Sequence, residues 1–183
     1  MRRVVLQMSL SIDGFVAGPQ GGLGGSLPED DDLIHWKLGQ LHQTGTHIMG
    51  RVTYEQMAAH WPTSMAEYAA PMNKLPKVVF SKTLERTDWN NSSVARGDTA
   101  EEIAQLKGEP GKDIMAHGGA AFVQALSNLG LIDEYRLLVQ PVALGQGLPM
   151  FFDLPAPLRL TLVEAKTFST GTAAHIYQPV QDA

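Results

Sequence analysis

Short runs of branched apolar residues alternate with longer segments of helical period along nearly the whole chain. That alternation restricts the fold more than any other feature, because strands separated by helices build parallel sheets. Val4 to Ile12 reads as a first buried strand. Asp13-Gly14 is a turn, and Gly18-Pro19-Gln20-Gly21-Gly22 with Gly24-Gly25 forms a flexible loop. Pro28-Glu29-Asp30-Asp31-Asp32 opens a helix whose apolar stripe is Ile34, Leu38 and Leu41. Thr46 to Gly50 is a strand, and Arg51-Val52-Thr53-Tyr54 enters a second helix. Pro62 and Pro71 punctuate an irregular stretch. Lys77 to Ser81 and Ser92 to Ala95 are strands, and Thr99 caps a helix to about Lys107 with Glu102 completing a capping box. Lys112 to His117 is a strand that ends in Gly118-Gly119, and Ala120 to Leu129 is a helix. Glu134 to Val142 is a long strand, and Arg159 to Phe168 with Thr172 to Gln178 closes the chain as a hairpin. The prediction is one α/β domain over residues 1–183: a mostly parallel central sheet flanked by helices, with an antiparallel C-terminal hairpin.

Composition removes several classes of function. Hydrophobic residues make up 44% and charged residues 18%, a globular balance. The net charge of −5 comes without a basic stripe, so a nucleic-acid partner has no electrostatic support. There is no cysteine, which excludes disulfides, thiolate nucleophiles and Cys-ligated metals and fits a cytoplasmic location. The apolar run after Met1-Arg2-Arg3 breaks at Gln7, Ser9, Ser11 and Asp13, too early for a signal peptide, and no membrane span is expected.

Two strand-to-helix junctions carry the chemical signal. At Gly118-Gly119-Ala120-Ala121-Phe122 the glycines let a backbone approach a phosphate, and the helix start supplies N–H donors. A glycine pair in this place serves equally well as a tight turn. At Gly50-Arg51-Val52-Thr53-Tyr54 a guanidinium and a hydroxyl join the same geometry, although a solvated Arg beside a helix start accounts for the pattern too. Two such junctions on one sheet favour a dinucleotide. No G-x-G-x-x-G, P-loop or G-x-S-x-G elbow is present, and no histidine or carboxylate spacing indicates a metal. His117 borders the expected site and His35 lies on or beside it, whereas His42, His47, His60 and His175 show no partner pattern. Trp61 and Tyr54 are read either as pocket walls or as core packing.

Several motifs together resemble the dihydrofolate reductase superfamily, most closely the reductase domain of bacterial riboflavin biosynthesis (RibD C-terminal type) and its stand-alone relatives. They are Val5 to Gly18, the His47-Ile48-Met49-Gly50-Arg51-Val52-Thr53-Tyr54 segment, Val78 to Leu84, Asp113 to Phe122, Leu131 to Leu137 and Pro141 to Gly147. They run in order over roughly residues 3 to 179. The resemblance implies a dihydrofolate reductase-like fold that binds NADPH across the carboxyl ends of the strands.

Carried over by position, it implies that Arg51 faces the 2′-phosphate and Thr53 the pyrophosphate, with Gly50 at the turn. Ser81 and Lys82 would sit beside the adenosine ribose phosphate. Gly118, Gly119, Ala120 and Ala121 would form a second phosphate cradle supported by Phe122, with a cis peptide between the two glycines and His117 at the border. Met8, Ser9, Val16, Ala17 and Gly18 would flank the nicotinamide, and Gly18 to Gly25 would form a lid. Leu27-Pro28 and Asp32-Leu33-Ile34-His35-Trp36-Lys37 resemble the family's substrate helix. Asp32 would then be the catalytic acid, with Leu33 and Trp36 against the substrate, while Glu29, Asp30 and Asp31 are assigned to solvated charge at the helix start. The implied activity is that of an NADPH-dependent oxidoreductase resembling dihydrofolate reductase and 5-amino-6-(5-phosphoribosylamino)uracil reductase. The acceptor is a pterin- or pyrimidine-like small molecule. A non-catalytic NADPH-binding module is the alternative. A homodimer is expected from the family, from the long terminal strands and from the apolar run Leu148 to Phe152.

Overall fold

The computed structural model describes residues 1–25 and 27–180. Its strands are β1 (Val4–Ser11), β2 (Phe15–Ala17), β3 (Thr44–Gly50), β4 (Lys77–Phe80), β5 (Ser92–Ala95), β6 (Asp113–His117), β7 (Glu134–Gln140), β8 (Leu148–Pro149), β9 (Leu160–Thr167) and β10 (Ala173–Pro179). Its helices are α1 (Asp31–His42), α2 (Arg51–His60), α3 (Ala69–Lys74), α4 (Thr99–Gly108) and α5 (Ala120–Asn128). Eight strands form one sheet in the order β5-β4-β3-β6-β1-β7-β10-β9. All pairs from β5 through β7 are parallel. The β7-β10 and β10-β9 pairs are antiparallel, which is the expected closing hairpin.

Burial explains why the chain folds this way. Val4, Val5 and Leu6 are at most 1% exposed, because β1 has parallel neighbours on both sides and helices over both faces. One core layer joins Val4, Leu6, Ile48, Ile114 and Ala116 to Ile103 of α4 and to Val123 and Leu126 of α5. On the other face Met49, Val79 and Met115 pack with Leu41 of α1, Tyr54 of α2 and Met72 of α3. Since six adjacent strands run parallel, their carboxyl ends share one edge. Gly50, Phe80, His117 and Gln140 all end their strands there, the usual place for a ligand on such a sheet.

Local differences from the sequence reading have local causes. The stretch between Pro62 and Pro71 contains a short helical turn at Trp61–Thr63 and then α3. The cap of α4 is Asp98, whose carboxylate accepts from Ala100 N and Glu101 N, and not Thr99. Glu102 reaches back past the cap and accepts from Gly97 N, so the expected reciprocal box with Thr99 does not form. The two-stranded β2-β8 ribbon was not anticipated. Among the described residues there is no cis peptide, so the bond between Gly118 and Gly119 is trans, contrary to what the resemblance implied. Gly119 instead takes up the turn through a φ of 123°. No described helix is long and apolar enough to cross a membrane.

Candidate functional site

The two glycine junctions meet. Adjacent strands β3 and β6 end side by side, so Gly50-Arg51 and Gly118-Gly119 enter α2 and α5 from the same sheet edge. The Thr53 hydroxyl donates to the Gly118 carbonyl and ties the junctions together. A Cβ built on Gly119 would lie 2.7 Å from Thr53 Oγ1, and one on Gly50 would lie 3.3 Å from Phe122 Cβ. Both glycines therefore allow a close approach that any larger residue would obstruct. Gly50 and Gly119 are the N-cap residues of α2 and α5, and neither helix start is capped by a side chain. The first-turn N–H groups stay available, with the positive ends of both helices beside them. These features fit the phosphates of a dinucleotide. Arg51 is the first residue of α2, half-exposed and paired with Glu55 at 2.8 Å. Phe122 stacks on Phe80 with ring centroids 5.3 Å apart, which braces the α5 start against β4.

A cavity of about 270 Å³ opens at the same sheet edge. Its floor is Gln7, Met8 and Ser9 of β1, His117 of β6 and Leu138 of β7. Leu41, Met57, Trp61 and Met72 supply an apolar wall, suited to the faces of a planar ring. Glu29, Lys37 and Tyr68 place polar groups at its side. Lys37 Nζ pairs with Glu29 Oε1, and the Tyr68 hydroxyl donates to Glu29 Oε2 at 3.0 Å. Burial first, then the bond to the Glu29 carboxylate, pushes the Tyr68 hydroxyl above its ordinary range, so it stays protonated and donating.

The structure redistributes the expected substrate residues. Asp32 is exposed and pairs with Lys166 at 2.8 Å, away from the residues that line the cavity. Leu33 is buried with Leu138, Phe168 and Ala174, and Trp36 packs edge-on to Phe168. Asp32 faces Lys166 of β9, Leu33 faces Leu138 of β7 and Ala174 of β10, and Trp36 faces Phe168, so none of the three is among the residues that line this cavity. Glu29, read as solvated charge, is the carboxylate that lines it. Asp30 lies at the surface but is engaged: it caps α1 by accepting from Leu33 N at 2.8 Å and also accepts from Ser169 N at 2.9 Å.

Other positions divide in the same manner. Met8, Ser9 and His117 line the cavity, while Val16 and Ala17 lie in the β2-β8 ribbon next to it in sequence. Gly18 N donates to Gly22 O and Gly21 N to Gly18 O, which folds the glycine loop into successive turns against Leu144. Ser81 Oγ accepts from Leu84 N at 3.0 Å and closes the turn after β4, with Lys82 exposed next to it. Ala120 and Ala121 form the first turn of α5. Trp61 walls the cavity, but Tyr54 is core: its hydroxyl accepts from Asp88 N and Trp89 N. His35 is exposed and folds back on Asp31 O.

The histidine signal that single positions could not show is a pair. His117 Nε2 lies 2.7 Å from His47 Nδ1, and His47 is fully buried. Desolvation, then the neighbouring His117 and Lys77, holds His47 well below the ordinary histidine range. Desolvation lowers His117 to about 4. Both rings are neutral at physiological pH.

Comparison with known proteins agrees with this architecture. The model of the RibD C-terminal domain family matches residues 2–174. The uncharacterized protein YyaP of Bacillus subtilis (strain 168) is 33% identical over 181 residues, covering 96% of this chain and 94% of that protein. A putative riboflavin biosynthesis protein from Shewanella sp. PV-4 superposes with a TM-score of 0.81 at 21% identity, covering 99% and 100% of the two chains. Dihydrofolate reductase from Enterococcus faecalis, in a structure complexed with NADP(H), superposes with a TM-score of 0.66 at 13% identity, covering 98% and 97%. With its dihydrofolate reductase-like sheet and a family match over nearly its whole length, the chain belongs to the RibD C-terminal domain family.

Proposed function

We propose that this protein is an NADPH-dependent reductase that transfers a hydride to a small planar heterocycle, pterin- or pyrimidine-like, and that it works in the cytoplasm. The observation that carries this reading is the convergence of two uncapped helix starts, at Gly50 and Gly119, beside a cavity with an apolar wall. Membership of the RibD C-terminal domain family supports the oxidoreductase class. NADPH, when bound, supplies the hydride. The α2 and α5 starts would hold its phosphates, with Arg51 at the 2′-phosphate. Met57 and Trp61 would cover the faces of the substrate ring, and Glu29 would accept its N–H donors. The Gly18 to Gly25 turns would exclude water.

Calorimetric titration with both nicotinamide cofactors tests the assignment. Arg51→Ala should weaken NADPH by about 10- to 100-fold, the loss of one charge-assisted hydrogen bond, and leave NADH nearly unchanged. Equal losses for the two cofactors remove Arg51 from the 2′-phosphate. Stopped-flow loss of nicotinamide absorbance against a panel of pterins and pyrimidines tests turnover. Tight NADPH binding with no oxidation by any of them would leave a binding module.

A further inference from the structure

The cavity wall is shared between two helices. α2 supplies Met57 and, at its C-cap, Trp61; α3 supplies Met72 and, at its N-cap, Tyr68. The helical turn at Trp61–Thr63 and an irregular stretch join the two halves. Methionine side chains adapt to what they touch, whereas an indole is rigid, so the placement of Trp61 sets the width of the slot. Apolar contact draws the halves together but is non-directional. Fixing their separation takes a directional bond.

Asn73 of α3 makes that bond from behind the wall. Its Nδ2 donates to Trp61 O at 2.9 Å, and its Oδ1 accepts from Trp89 Nε1 at 2.8 Å. A carbonyl can only accept and an indole N–H can only donate, so the amide has one orientation that satisfies both. Trp89 is 5% exposed, and its backbone N–H donates to the Tyr54 hydroxyl at 3.1 Å. Tyr54 belongs to α2, so the run of bonds leaves α2, crosses Trp89 and Asn73, and returns to the end of α2 at Trp61. Trp61 O also accepts from Ser64 N at 3.3 Å, a bond within its own turn that does not reach α3. The Lys77 ammonium secures the α3 end: it donates to Met72 O, Asn73 O and Leu75 O and lies 4.4 Å from the Trp89 ring centroid. On the cavity side the Trp61 ring is flanked edge-on by His60 and Tyr68, with centroids 4.7 and 6.4 Å away. Asn73 itself is not among the residues that line the cavity.

We propose that Asn73 is a positioning residue: by bridging Trp89 and Trp61 it fixes the indole of Trp61 against the α3 half of the wall and holds the slot open to the thickness of a flat heterocyclic ring. The ring-binding role deepens the reductase reading and rests on it. The fixing of Trp61 does not, because it is a property of the protein without ligand.

Fluorine spectra of the ligand-free protein labelled with 5-fluorotryptophan read the wall directly, since the chain has three tryptophans and Trp61→Phe assigns one line. The wild-type protein should give a single sharp Trp61 line. Asn73→Leu removes both bonds, and Asn73→Asp keeps the acceptor for Trp89 and removes the donor to Trp61. Both should broaden or double the Trp61 line and leave that of Trp36 unchanged. With NADPH saturating, 2,4-dioxopteridine should bind both variants about tenfold more weakly, the worth of one hydrogen bond, while NADPH affinity holds. A lowered melting temperature with the Trp61 line and the pteridine affinity intact would make Asn73 a structural residue only and overturn the proposal. Equal losses of pteridine and NADPH affinity overturn it as well. Should Asn73→Leu fail to fold, Asn73→Asp and the wild-type spectrum still decide, because a Trp61 line already doubled in the wild-type protein means that the wall is not fixed. A wild-type protein that binds neither NADPH nor the pteridine would sink the reductase reading, and the fluorine spectra would still show whether Asn73 holds Trp61.

Discussion

A methyl group at position 119 meets two obstacles, a φ of 123° and the Thr53 hydroxyl 2.7 Å away. The first is a cost to the backbone alone, of order 1–3 kcal/mol. The second is shared with Thr53, which would have to release the Gly118 carbonyl. Gly119→Ala should therefore lose both stability and NADPH affinity, and part of the stability loss should vanish in a Thr53→Ala background. A double-mutant cycle by urea denaturation should show a coupling of about 0.5 kcal/mol or more. Strict additivity would mean that Gly119 and Thr53 do not press on each other. Gly118 provides a contrast, because its Cβ would meet Met8 Cε at 2.5 Å, the free end of a flexible side chain. At this scale the sequence was legible where chemistry is local. A glycine pair between a strand and a helix announces its own turn. That Thr53 faces Gly119, or that His47 faces His117, depends on β3 lying beside β6, which no local pattern records. That Glu29 lines the cavity and Asp32 does not has the same origin: four acidic residues in a row look alike until the helix start, capped by Asp30, separates their directions.

Long elements were readable because their periodicity repeats over enough residues to be unambiguous, and β1, α1, α5 and the final hairpin start or end within a residue or two of their expected bounds. The short ones were not. β2 has three residues and β8 two, and each is a strand only because the other is beside it. Asp13 shows what holds this ribbon's loops in register. Its carboxylate accepts from Leu144 N and Gly145 N, at 3.1 and 2.7 Å, across a sequence gap that no turn motif spans. The Ser11 hydroxyl, then the Gly145 and Leu144 N–H groups, lower the Asp13 carboxyl to about 2. Because the folded value lies below the unfolded one, this clamp stabilises the loop fully above about pH 4, the ordinary aspartate range, and is lost as pH falls through about 2. The amide resonances of Leu144 and Gly145 should shift with an apparent midpoint near 2, and Asp13→Asn should loosen both amides at neutral pH. A midpoint near the ordinary aspartate value would show that the carboxylate is not clamped.

For the molecule as a whole, the apolar surface lies elsewhere than the sequence indicated. The run Leu148 to Phe152 was expected to cover a partner, but Met150 is 1% exposed in the core and Phe151 stacks on Tyr135 within the same chain. Leu148 and Phe152 remain exposed. A second apolar surface lies on β9, the final strand of the sheet, where Leu162 and Val163 are 51% and 55% exposed. Val163 is the extra residue of a bulge between the Ile176–Glu164 and Tyr177–Leu162 pairs, so β9 presents two adjacent exposed apolar side chains where its alternation lapses. It also leaves one edge of backbone donors and acceptors unpaired. An open apolar edge of this kind aggregates unless something covers it, and a second copy related by a two-fold axis covers both at once. We therefore propose a homodimer that uses β9. Light scattering at working concentration should give twice the monomer mass. The double change Leu162→Lys with Val163→Lys should halve it, because two charges on each copy would be desolvated at the interface. The two glycine junctions proposed to hold the cofactor follow β3 and β6, at least three strands from β9 across the sheet, so NADPH affinity in calorimetry should survive that change. A wild-type monomer would remove the dimer. A variant that stays dimeric would move the interface off β9, and Leu148 and Phe152 would be the next positions to charge.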